Sequence, residues 1–152
     1  MDEPTHEFDP ECAVCQIALF YGVSHEEAMR RIHKQDTELI KKYGWVAHLI
    51  TDSDLVHTHG LQETYGHMDF EIKLPLPRKM LHQFLSALAN AVKAGEVFHA
   101  DETSLAVFEC PVRFVERTEA GRRVLRAIFP DRHGHWPGEP DCVDLFAHQI
   151  ED

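Results

Sequence analysis

Three groups of residues have the types and spacing to do chemistry. His57 and His59 stand two apart in the run Leu55–His59, and on a strand both side chains project to one face. His67 follows the short stretch from Gly60 to Gly66, so a hairpin would bring it beside them. Three converging imidazoles suit zinc or another divalent metal, with Glu63, Asp69 or Glu71 as an oxygen ligand or base. The alternative is a set of partly exposed sheet histidines hydrogen-bonded to their neighbours.

Cys12 and Cys15 form a Cys-x-x-Cys, the spacing at which two thiolates share one zinc at about 2.3 Å per bond. Two more ligands are needed, and His6 and His33 are candidates. The competing readings are a redox pair and two small core residues on an amphipathic helix. No strand precedes the motif, which argues against a thioredoxin-like redox role. The third group is His133-Gly134-His135-Trp136 after Pro130-Asp131. Asp131, His133 and Trp136 could line a ligand-binding loop. Turn chemistry alone also explains them, with Asp and Gly shaping the chain and Trp136 covering a core edge.

Negative findings narrow the chemistry. The chain has no His-Glu-x-x-His, no Gly-x-Ser-x-Gly, no phosphate-cradling glycine loop and no dinucleotide fingerprint. No catalytic residue is assigned. Asp69, Glu71 and Lys73 alternate with Phe70, Ile72 and Leu74 and read as the wet face of a strand rather than an acid–base pair.

The elements that must position these residues follow from period and punctuation. Residues 1–9 read as a loose arm, and 10–152 as one domain. Asp9-Pro10-Glu11 opens a short helix that runs to about Tyr21 and closes at Gly22. Ser24 and Glu27 have capping-box spacing, and the helix they open ends at Gly44. The period then changes to two. Trp45–Thr51, Leu55–His59 and Met68–Leu74 read as strands, with a turn at Asp52-Ser53-Asp54 and a loop over 60–66. Pro75-Leu76-Pro77 starts the strongest amphipathic helix, on Met80, Leu81, Phe84, Leu85, Leu88 and Val92. Ser104–Glu109, Val112–Arg117 and Val124–Phe129 are further strands, Glu119–Arg123 a helical turn, and Cys142–His148 a short final strand. The expected fold is a single α+β domain, its two N-terminal helices and one central helix packed on a mainly antiparallel sheet.

The chain has 152 residues, and 43% are hydrophobic, enough for a core without disulfides. Its 15 basic and 26 acidic residues leave a net charge of −11, which excludes a general nucleic-acid binder and disfavours an anionic membrane surface. No apolar run approaches a membrane span. The acidic Met1-Asp2-Glu3-Pro4 lacks an apolar stretch, so no secretory leader is expected and the cytoplasm is the expected compartment. There the four cysteines are thiols or metal ligands. The 12 histidines make charge steep in pH between about 5.5 and 7.5.

Several segments together resemble a bacterial family, domain of unknown function 4262. They are Cys12-Ala13-Val14-Cys15, Gly44-Trp45, His57-Thr58-His59-Gly60-Leu61, Gly66-His67-Met68-Asp69-Phe70, Leu74-Pro75 and Pro130-Asp131-Arg132-His133-Gly134-His135-Trp136-Pro137. The likeness spans nearly the whole chain. It departs at His57, where the family pattern has Tyr, at Met68 for Pro, and at Gly138 for Trp. A histidine site would therefore be particular to this member. The stretch Thr58–Leu61 with Phe70–Leu74 is also similar, more loosely, to suppressor-of-fused-like domains, which are protein-binding modules and in some cases immunity proteins. Neither resemblance implies a catalytic residue.

Two functions follow as expectations. One is a non-enzymatic cytoplasmic module that binds a basic protein partner, since opposite charge steers encounter. The other is a metal-binding protein or metal-dependent hydrolase using His57, His59 and His67, with a structural zinc clip at Cys12 and Cys15 as a lesser variant. A homodimer is open on general grounds, because dimers are common.

Overall fold

A computed structural model describes residues 13–49, 54–119 and 121–151. Helix α1 (Ala13–Tyr21) and α2 (His25–Tyr43) come first, then strands β1 (Val46–Leu49) and β2 (Leu55–His59). A short α3 (Leu61–Tyr65), β3 (Asp69–Lys73) and α4 (Arg78–Lys93) follow. The chain continues with β4 (Thr103–Ser104), β5 (Val112–Glu119), β6 (Arg122–Ile128) and a last turn of helix, α5 (Asp144–Ala147). The strands form one sheet in the order β1-β2-β3-β6-β5-β4. Every pair is antiparallel except β3 with β6. That pair is parallel because the intervening chain, α4 included, makes the crossover a parallel neighbour requires. The fold is the expected single α+β domain.

Local chemistry sets the element ends. Ser24 Oγ accepts from Glu27 N at 3.0 Å, which satisfies one of the orphan donors at the start of α2. Gly44 closes α2 in the left-handed region at φ 90°, and its N–H donates to Ile40 O at 2.7 Å. Gly60 ends β2 at φ 105°. A side chain there would meet Ile40 at 2.9 Å, and one at Gly44 would meet the Tyr65 hydroxyl at 2.7 Å. The two glycines let the α2–β1 and β2–α3 turns pack against each other, and Thr64 Oγ1 ties them by donating to Gly44 O at 2.7 Å. This junction holds β1 and β2 against the end of α2.

The core lies between α4 and one sheet face. Leu81, Leu85, Leu88, Ala89 and Val92 pack on Val56, Phe70, Ile72, Leu74, Phe114, Leu125 and Ala127. Each large side chain so buried contributes about 1.5–3 kcal/mol.

The opposite face corrects one expectation. Asp69 and Glu71 are buried, at 2% and 1% exposure, and only Lys73 is half-buried. The reason is the C-terminal segment, which covers this face. Arg126 Nε donates to Glu71 Oε1 at 2.7 Å, and its Nη1 donates to the Gln149 and Glu151 carbonyls at 3.0 and 2.7 Å. The Gln149 amide bonds Phe129 in both directions, at 2.7 and 2.6 Å. Other differences are local. Residues 61–65 are helical rather than looped, the expected final strand is α5, the strand expected at Ser104–Glu109 shrinks to β4, and the turn expected near Glu119–Arg123 is a β-hairpin. The expected arm and the first residues of the first helix lie outside the described residues.

Candidate metal centre

The β1–β2 ladder pairs His48 with His57 and Val46 with His59. Directly opposed residues share a face, so His48, His57 and His59 come together on the side away from α4. Ring centroids are 5.2 Å apart for His48 and His57, 4.2 Å for His48 and His59, and 4.7 Å for His57 and His59. One ligand nitrogen from each ring lies within 4.8 Å of the other two.

Hydrogen bonds assign the tautomers. Asp36 Oδ2, on α2, lies 2.6 Å from His48 Nε2. A carboxylate only accepts, so His48 carries its proton on Nε2 and turns a lone pair outward on Nδ1. His57 Nε2 approaches that Nδ1 at 3.3 Å, so one proton is shared between two nitrogens. Arg122 Nη2 lies 3.4 Å from His59 Nε2, and since a guanidinium only donates, that nitrogen also keeps a lone pair.

Electrostatics keep the His57 and His59 rings neutral. Burial, with His48 and Arg122 nearby, holds the His57 pKa down at about 4 against the pull of Glu71 and Asp36. Burial and the neighbouring Arg122, His48 and His57 hold His59 at about 3. Neutral imidazoles are what a metal needs, because a proton and a cation compete for the same lone pair.

A buckle beside the cluster fixes β2. Asp69 Oδ1 accepts from Thr58 Oγ1 at 2.7 Å and Leu61 N at 3.1 Å, and Phe70 N donates to Thr58 Oγ1 at 2.9 Å. Arg122 closes it from β6, donating to Asp69 Oδ2 at 3.1 Å and Thr58 O at 3.0 Å. Burial pushes the Asp69 carboxyl up, and these bonds oppose the shift.

The expected residues divide. His57 and His59 meet as the alternation predicts. His67 does not join them. Its Nδ1 donates to Met68 O at 2.7 Å, its Nε2 accepts from Phe98 N at 3.0 Å, and the ring packs against Phe70 and Phe98. Both nitrogens are committed to structure. Cys12 and His6 lie outside the described residues, Cys15 is buried on α1, and His33 is exposed on α2. His48 takes the third place, and Asp36 stands behind it. The turn expected over Asp52–Asp54 would pair position 48 with 58, and the observed register, one residue different, is what sets His48 opposite His57. Nothing local marked Asp36.

The late loop follows turn chemistry. Asp131 Oδ1 accepts from the backbone of His133 and His135, both at 2.9 Å, and Oδ2 from Val143 N at 2.9 Å. Burial works against the charge, yet these bonds hold the carboxyl at about 2. The Trp136 ring stacks under the Arg113 guanidinium at 3.8 Å.

No helix of the described residues is long and apolar enough to cross a membrane. No curated protein and no solved structure matches the chain, and the suppressor-of-fused likeness stays an expectation of the sequence. The model of the family described as domain of unknown function (DUF4262) matches residues 39–123, which include His48, His57, His59 and Arg122. That is more than half of the chain, and the protein belongs to this family.

Proposed function

We propose that the protein binds a zinc-class divalent cation through His48, His57 and His59, with Asp36 orienting His48. The observation that carries this reading is the 3.3 Å separation of His48 Nδ1 and His57 Nε2. Two zinc–nitrogen bonds of about 2.05 Å at a tetrahedral angle put their nitrogens about 3.3 Å apart. Metal binding would move the His57 proton to Nδ1 and free Nε2 to coordinate. The widest nitrogen separation, within 4.8 Å, closes by at most about 1.5 Å of ring movement. Three protein ligands leave a fourth position for water or substrate, the arrangement of catalytic rather than structural zinc, so a metal-dependent hydrolase is the activity class to assay. We take the setting to be the cytoplasm.

Zinc titration of metal-free protein, with elemental analysis of the product, tests the reading. About one zinc per chain is expected. His48→Ala and His59→Ala should each weaken it at least about a hundredfold while the far-ultraviolet spectrum stays unchanged. Zinc content indifferent to both substitutions would remove the site.

A second reading, a protein-binding and immunity-like module, draws on the end of α1. Leu19, Phe20 and Tyr21 are 66%, 81% and 63% exposed there, on a chain of net charge −11. Apolar contact plus charge would favour a basic partner. Low-salt capture should retain a basic protein that Phe20→Ser loses, and recovery of none would count against the module.

A further inference from the structure

Helix α1 is apolar almost all round. Apart from Gln16 its residues are hydrophobic, and none is charged. A helix of that composition belongs in an interior. Yet the side chains it buries are small ones. Cys15 and Ala18 are buried, α2 contributes the buried Ala28, and among the described elements α1 packs chiefly on α2. The large side chains, Ile17, Leu19, Phe20 and Tyr21, stand outside. Ile17, Phe20 and Tyr21 share one flank by their spacing, and the Phe20 and Tyr21 rings meet edge to face at 4.9 Å. Leu19 covers the other flank. Met29, one turn into α2, is exposed as well.

The size of this face says what fits it. An aromatic side chain carries about 150–250 Å², so the exposed parts of Phe20 and Tyr21 come to about 280 Å². Ile17, Leu19 and Met29 roughly double that area. A standard interface takes about 800 Å² from each partner, and about 65% of it is apolar in homodimers, or about 520 Å². The exposed apolar area of this hairpin end matches one side of a homodimer.

Charge points the same way. Arg30 and Arg31, the first arginines of α2, both close on Glu27, at 2.7 and 3.1 Å. With no charge on α1, the face offers a charged partner no fixed site. A second copy brings an equally uncharged helix. The net charge of −11 on each chain opposes the approach at long range, where salt screens it.

We propose that this face is a homodimer interface, in which a second copy packs its own α1 against α1 and the start of α2 and buries Phe20 at the centre. The contact is isologous, so one apolar face serves both sides of a two-fold axis. The large side chains of α1 then gain the interior that Cys15 and Ala18 already have. The inference stands apart from the metal reading, because α1 holds none of the three histidines.

Sedimentation equilibrium of the full chain from about 1 to 200 µM tests it. Wild type should dimerise within that range, and more tightly in about 0.5 M salt than in about 0.05 M, because screening removes the repulsion and leaves the apolar contact. Phe20→Glu should weaken the dimer at least about thirtyfold, as loss of a central aromatic anchor does. Leu19→Glu, on the other flank, should weaken it too. A wild type that stays monomeric at every concentration in both salts overturns the proposal. So does a dimer that salt weakens, or one indifferent to both substitutions. Low-salt capture of a basic protein by monomeric wild type, lost in Phe20→Glu, would assign the face to that partner instead.

Discussion

Asp36 on α2 and His48 on β1 are joined at 2.6 Å, Oδ2 to Nε2, across the turn that Gly44 makes. The bond determines which His48 nitrogen faces the other two rings, so a helix residue outside the matched family segment orients a ring inside it. Asp36→Asn keeps the size but presents an amide that can either donate or accept. Zinc affinity should fall about 10–100-fold, as when a carboxylate behind a ligating histidine is lost, with little change in melting temperature. Titration of both proteins against a competing chelator measures it. An unchanged affinity would show that Asp36 does not orient the ligand.

His67 provides the contrast. Its ring satisfies the buried Phe98 N–H, and an orphaned buried donor costs about 1–3 kcal/mol. His67→Ala should lower the urea midpoint accordingly and leave zinc stoichiometry and affinity at wild-type values. Loss of zinc from a folded His67→Ala protein would bring His67 back into the centre.

Stability of the metal-free protein should depend on pH through His57. Its folded pKa of about 4 lies below the ordinary 6.5, so the unfolded chain binds the proton more readily. The stability this neutral ring contributes is present above about pH 6.5 and is lost as pH falls toward 4, at up to about 1.4 kcal/mol per pH unit. Urea midpoints between pH 7.5 and 4.5, in the presence of chelator, should fall on the acid side. His57→Gln should flatten that fall, and an identical slope in the variant would contradict the assignment.

Glu71 and Arg126 form a buried pair, with side chains 2% and 7% exposed. Removing one partner strands the other. Glu71→Ala should cost about 3–5 kcal/mol, whereas Glu71→Leu with Arg126→Leu should recover a large part of it. Arg126 also holds the Gln149 and Glu151 carbonyls, so amide exchange near residue 149 should accelerate in Glu71→Ala. Equal stability in wild type and Glu71→Ala would mean the pair is neutral.

The sequence by itself determined what depends on neighbours along the chain. Ser24 with Glu27 and Gly44 bounded α2, the apolar stripe of α4 named its buried face, and the alternation in β2 put His57 and His59 on one side. Tertiary structure decided what depends on distant partners. Asp69 and Glu71 alternate like solvent-facing residues, yet Arg122, Arg126 and the Gln149 segment bury them, and no local pattern announces a covering segment about 80 residues away. His67 and His48 are equally plausible ligands on spacing. Register placed His48 opposite His57, while the Phe98 N–H claimed His67. A strand's period says which side chains share its own face; only the pairing of strands and the packing of elements says which faces meet.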